Sequence, residues 1–104
     1  MALGASGVIS VVGNVYPEKV SLLARLCKEG DYEKARIIHN QLLHITDLCF
    51  LEGNPAGVKY ILEKKGFGQA HLRLPLVPIG QVTGSAIDKE IQRIAWKINI
   101  PIIK

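Results

Sequence analysis

Apolar positions in this chain recur at two periods. Residues 7–13, Gly-Val-Ile-Ser-Val-Val-Gly, form a short β-branched run bounded by glycines. A run of that kind predicts a short strand over residues 7–12, buried on both faces as in a parallel sheet. The chain offers it no neighbour. Residues 72–79 are the only other candidate, and Pro75 and Pro78 would each remove a ladder donor. A buried strand without a sheet predicts a piece completed by other chain.

From Pro17 onward the period changes to that of a helix, four times over. The first helix opens on Pro17, carries Val20, Leu23, Leu26 and Cys27 on one side, and stops at Gly30. Asp31 is placed to cap the second. In it Ala35, Ile38, Leu42, Ile45 and Cys49 recur at spacings of 3, 4, 3 and 4, a narrow apolar stripe that ends at Gly53. Asn54 as cap and Pro55 as first residue open a third helix, with Val58, Ile61 and Leu62 inward and Gly66 as its stop. Residues 67–84 read as a Gly- and Pro-rich connection. Ser85-Ala86-Ile87-Asp88 resembles a capping box for a fourth helix, which places Ile87, Ile91, Ile94 and Ile98 on one face and ends before Pro101. The fold class is therefore mostly α: one short strand, then four helices.

At 104 residues the chain has room for one small domain and no complete eight-stranded barrel, which needs roughly 250. Its net charge of +4 is unevenly spread. Residues 1–17 carry no charge, residues 18–65 are nearly balanced, and residues 66–104 hold five basic and two acidic groups. No run of like charge marks a nucleic-acid arm, which argues against a nucleic-acid partner. No stretch reaches the length of a membrane span, and the apolar start lacks the basic flank of a signal peptide. Cys27 and Cys49 lie in no C-x-x-C arrangement and read as reduced thiols. The expectation is a soluble, cytoplasmic protein.

Chemical constellations are few. His39 and His44 project about 140° apart on one helix, so they do not ligate a metal as a pair, and His71 lies in the connection. No metal and no cofactor is assigned. Gly4-Ala5-Ser6-Gly7 precedes a strand, not a helix N-terminus, and lacks the mechanism of a phosphate cradle. Of nine lysines only Lys59, between Val58 and Tyr60, sits in partly apolar context. One surface pattern is less ordinary. Lys89, Arg93 and Lys97 align at i, i+4 and i+8, with Trp96 within about 20° of Lys89. That face defines an alternative reading of the chain as a stand-alone helical interaction module. Residues alone assign no catalytic constellation.

Three segments together resemble the dihydrodipicolinate synthase family. Gly4-Ala5-Ser6-Gly7-Val8-Ile9-Ser10-Val11-Val12-Gly13-Asn14-Val15 resembles its G-x-x-G-V-I-S-V-x-x-N stretch. Leu51-Glu52-Gly53-Asn54-Pro55-Ala56-Gly57-Val58-Lys59 resembles its x-N-P-x-x-V-K segment, and Leu72-Arg73-Leu74-Pro75-Leu76-Val77-Pro78 its L-R-L-P-L-x-P connection. Order and spacing agree, and the likeness spans essentially residues 3–95. The last two motifs also favour the synthase over its relative, N-acetylneuraminate lyase.

The resemblance implies the end of a (β/α)8 TIM barrel followed by a helical C-terminal domain. Residues 1–30 would be the last βα unit and residues 31–104 the helical domain. The family condenses pyruvate, held as a Schiff base on lysine, with aspartate semialdehyde on the route to lysine. That lysine, in a Y-G-x-K context on the sixth strand, lies upstream of every matched segment. So do the tyrosine and threonine proton relay, the arginine for the second substrate and the feedback site. No residue here is expected to be catalytic, and Lys59 does not inherit the role. The one pocket element carried over is Ile9, whose backbone carbonyl faces the Schiff base in the family; Gly7 and Ser10 of the same motif are expected to be structural. The isolated chain is expected to be inactive, the product of a truncated gene, a shifted start or an expressed fragment. Residues 7–12 would then dock with the missing N-terminal part or pair with themselves.

Overall fold

The computed structural model describes residues 1–96, with only the backbone of Trp96. Four helices carry the fold: α1 (Pro17–Lys28), α2 (Tyr32–Leu51), α3 (Ala56–Lys64) and α4 (Gln81–Trp96), preceded by a single 3-10 turn, Val12–Asn14. Among the described residues there is no strand. The expected strand at residues 7–12 is absent: residues 5–10 are irregular, and Val8 and Ile9 are 69% and 106% exposed. The physical reason is the one the pattern already contained. A ladder needs a neighbour, and residues 72–79, which are also irregular, do not provide one.

The helix boundaries follow local chemistry. Pro17 occupies the first turn of α1, where its missing N–H costs nothing. At the other end Gly30 turns the chain at φ +80, a conformation that side chains rarely adopt. Asp31 caps α2 by accepting from the Lys34 amide at 3.2 Å. Two starts differ from expectation. Pro55 is the cap of α3, not its first residue, and follows a cis peptide bond. The fourth helix begins at Gln81, so Ser85 lies inside it and caps nothing. Its N-terminus is held instead by Glu52, at the end of α2, which accepts from the Gly80 amide at 2.9 and 3.1 Å. That carboxyl sits below its ordinary value through hydrogen bonds from Thr83 and then Gly80.

The second helix is the spine. Its predicted stripe, Ala35, Ile38, Leu42, Ile45 and Cys49, is buried throughout, and Leu48 joins it. α1, α3 and α4 all pack on α2. Each isoleucine fully withdrawn from water contributes about 1.5–3 kcal/mol, so this stripe dominates the stability of so small a molecule. From α4 come Ile87 and Ile94, both essentially without exposure, with Ile91 at the margin; Ile98 and Pro101 lie outside the described residues. α3 approaches α2 so closely at Gly57 that a Cβ there would lie 2.8 Å from the Cys49 carbonyl oxygen. On α1 the buried residues are Lys19, Leu22 and Leu26, while Val20, Leu23 and Cys27 are only half-buried. The inward face of α1 is thus rotated from the expected one.

Candidate functional site

Ile9 sits just before a hydrogen-bonded turn that fixes where its segment leaves the bundle. Ser10 Oγ accepts from the Gly13 amide at 2.9 Å, and Asn14 Nδ2 donates to the Val11 carbonyl at 3.0 Å. Val12, Val15 and Tyr16 then enter the core and anchor the turn. Upstream of it, residues 5–10 make no backbone-to-backbone hydrogen bond. Met1, Ala2 and Val8 overhang a shallow cavity of about 300 Å³ along α1, lined also by Val20, Leu23, Ala24 and Cys27. The half-buried side of α1 and the segment bearing Ile9 therefore share one apolar strip.

Behind that strip lies a polar cluster joining three helices. Lys19, buried on α1, donates its amine to Gln41 Oε1 of α2 at 3.0 Å. The Gln41 carbonyl in turn accepts from Arg93 Nη2 of α4 at 2.9 Å. Arg93 holds the buried Glu90 with two of its three nitrogens, Nε at 2.9 Å from Oε1 and Nη2 on Oε2. The arginine holds the Glu90 carboxyl below its ordinary 4.5, against the opposing effect of burial. Tyr16 lies near Glu90 and Cys49, and its phenol is raised chiefly by burial. Cys49 is likewise pushed up to about 11 by burial, so it remains a thiol and not a nucleophile.

This cluster predicts a pH dependence with a definite sign. A carboxyl whose folded value lies below its unfolded one stabilises the fold in its ionised form. The contribution of Glu90 is complete above about pH 4.5 and disappears as pH falls through its lower folded value. Chemical denaturation between pH 6 and pH 3 should therefore show a loss of stability that Glu90→Gln flattens. Identical slopes in the two proteins would remove the cluster from the acid response.

Other residues singled out in the sequence are placed as follows. His39, His44 and His71 are exposed, and no group of three or more His, Cys, Asp or Glu among the described residues could hold a metal. Lys59 donates its amine to the His71 carbonyl at 2.7 Å and so pins the connection after α3. The basic stripe is broken by Arg93, which is committed to Glu90 and Gln41; Lys89 is exposed, while the Trp96 side chain and Lys97 lie outside the described residues. No helix of the described residues is long and apolar enough to cross a membrane. Sequence reading missed Lys19 and Glu90, although the signal was present. Lys19, Leu22 and Leu26 share one face at i, i+3 and i+7, and Glu90 sits between Ile87 and Ile94.

A second cavity, about 970 Å³ and open to solvent, lies where the chain enters α1. Val15, Tyr16 and Leu22 floor it, and Leu62 and Phe67 from the end of α3 and just beyond form a wall. Lys65 reaches over it to donate to the Val15 carbonyl, with its ammonium 4.0 Å from the centre of the Tyr16 ring.

Known proteins match this chain along most of its length. The model of the dihydrodipicolinate synthetase family matches residues 1–94. The 4-hydroxy-tetrahydrodipicolinate synthase of Azobacteroides pseudotrichonymphae genomovar. CFP2 is 48% identical over 91 residues, covering 88% of this chain and 31% of its own. The protein of that name from Parabacteroides distasonis is 45% identical over 97 residues, 93% of this chain and 33% of its own. The solved 4-hydroxy-tetrahydrodipicolinate synthase of Methylacidiphilum fumariolicum SolV superposes with a TM-score of 0.89 at 35% identity, over 93% of this chain and 32% of that one. The chain thus spans about a third of the length of the relatives it matches. The family model covers nearly the whole chain and the relatives are close in both sequence and structure over that C-terminal third, so the chain belongs to the dihydrodipicolinate synthetase family.

Proposed function

We propose that this chain is the C-terminal third of a lyase that joins pyruvate to aspartate semialdehyde in lysine biosynthesis. In this reading residues 1–30 are the last βα unit of a barrel and residues 31–104 its appended helical domain. The observation that carries the reading is the state of residues 5–10. Their backbone makes no hydrogen bond to other backbone, Val8 and Ile9 face solvent, and a half-buried strip of α1 runs beside them. A β-branched segment in that condition is the edge of a sheet whose other strands belong to other chain. Once paired, the Ile9 carbonyl would line the pocket in which pyruvate is held, shaping it without moving a proton. The same unpaired edge is what would let two copies associate.

The reacting amine lies outside this chain in this reading, and three of the chain's nine lysines are engaged with partners of their own. Lys19 serves Gln41, Lys59 serves the His71 carbonyl and Lys65 serves the Val15 carbonyl. Treatment with pyruvate and borohydride should therefore leave its 11.4 kDa mass unchanged. A stable adduct of reduced pyruvate would overturn the claim of inactivity. The positive arm adds the separately produced N-terminal two thirds of the Parabacteroides distasonis relative. Mixing should restore condensation, and Ile9→Pro, which cannot keep the ladder, should abolish the restoration. Failure of the unaltered pair to associate would sink the reading.

A further inference from the structure

The larger cavity has a charge distribution that its own residues do not neutralise. Lys19, Arg25 and Lys65 line it, against the single carboxylate of Glu18. Among the described residues the ion pairs within 4.0 Å are Lys34 with Asp31 and Arg93 with Glu90, so none of the three cavity cations has a carboxylate partner. Lys65 is the best placed of them. Its ammonium has three donors, of which one goes to the Val15 carbonyl, while the ring of Tyr16 takes the cation's field. Burial pushes the amines of Lys19 and Lys65 down, with Glu18 partly opposing this at Lys65. An ammonium in that state gains from a counter-charge more than a solvated one does.

The rest of the cavity is apolar. Val15, Tyr16 and Leu22 present a floor, and Phe67, 72% exposed, stands at its edge as a side chain with nothing to cover. An apolar body of one or two rings fits a space of this size, and its acid group would reach the Lys65 ammonium. We propose that this cavity is a binding site for a small carboxylate with an aromatic or alkyl body, its acid on Lys65 with Arg25 at the rim, and its body between Tyr16, Leu22 and Phe67. The site shares α1 with the βα unit of the proposed function, but none of the residues named for it belongs to the segment of Ile9, so binding of the probe is read separately from that function.

The test uses the whole 104-residue chain and two probes of nearly equal shape, 3-phenylpropionate and the neutral 3-phenylpropan-1-ol. In titrations followed by NMR, the acid should shift Leu22, Leu62 and Phe67 resonances saturably and bind about tenfold more tightly than the alcohol, as one charge-assisted hydrogen bond allows. Lys65→Met should bring the two probes to equal affinity, while Lys65→Arg keeps the preference. Because Lys65 also braces Val15, Arg25→Gln provides a second reading that leaves that brace intact, and it should narrow the preference about threefold at low salt. Equal binding of acid and alcohol to the unaltered chain would overturn the proposal. So would shifts confined to other residues, or a preference that survives both Lys65→Met and Arg25→Gln.

Discussion

Ile45→Ala is expected to lower the unfolding free energy by about 3 kcal/mol, read as a fall in the urea midpoint at unchanged slope. Ile45 has no solvent exposure and sits in the second half of α2, the helix on which α1, α3 and α4 all pack. Cutting it to alanine removes three carbons from a site walled by several elements, so the surroundings cannot collapse onto the gap from one side. The total stability of a domain this size is on the order of 5–10 kcal/mol, so the substitution removes a large fraction of it. Ile37, on the same helix and 49% exposed, is the matched control. Its alanine variant should change stability by less than about 0.5 kcal/mol. Equal losses at the two positions would mean that the buried face of α2 is misassigned.

Gly57→Ala should also destabilise, against what helix propensity alone dictates. Alanine is favoured over glycine inside a helix by up to about 1 kcal/mol. At this position the new methyl would sit 2.8 Å from the Cys49 carbonyl oxygen and 3.0 Å from both the Leu48 oxygen and the Cys49 Cα. All three are backbone atoms of α2 and have no rotamer to escape into. Either α3 lifts off α2 or the two helices strain, for a net loss of about 2 kcal/mol and a melting temperature lower by about 10 °C. Gly84 provides a contrast, because its nearest neighbour at 3.2 Å is the Tyr60 hydroxyl, a side-chain atom that is tethered to Asp88 but is not part of a helix backbone, and the approach is 0.4 Å longer than at Gly57. Gly84→Ala should be tolerated better. A Gly57→Ala protein that melts higher than its parent would refute the close approach of α3.

What was legible in the sequence, and what was not, divides by the range of the interaction. The stripe on α2 and its Asp31 cap depend on residues within a turn or two of one another, and both form as read. The start of α4 is not marked locally, because its cap comes from Glu52, 28 residues before Gly80, and no local pattern reports a tertiary cap. Ser85 offered a local signal that the fold does not use. The strand failed for a related reason: residues 7–12 have strand composition, but a strand is a property of a pair, and the second member is not among the described residues. In the polar cluster, Lys19 and Glu90 carry charges that ordinarily stay at the surface, so residue type alone does not mark them as buried. Their positions on the helical wheel, with Leu22 and Ile87, do mark them. The role of Ile9 rests on motif likeness alone, since no spacing marks a carbonyl as part of a pocket.

The connection between α3 and α4 is held at more places than its glycines and prolines imply. Glu63 accepts from the Ala70 amide, Lys59 donates to the His71 carbonyl, and Glu52 fastens Gly80. These ties leave residues 72–79 as the longest stretch held by none of them, and Leu74 and Val77 within it lie open to water. Within the connection between α3 and α4, a protease should find its peptide bonds there first. A cut at that point would not release α4, because Ile87 and Ile94 remain seated in the core and Glu52 still grips the helix start. The two pieces would travel together as a nicked but folded molecule. By the same reasoning, this is the place where a foreign peptide could be spliced into the chain without displacing a helix.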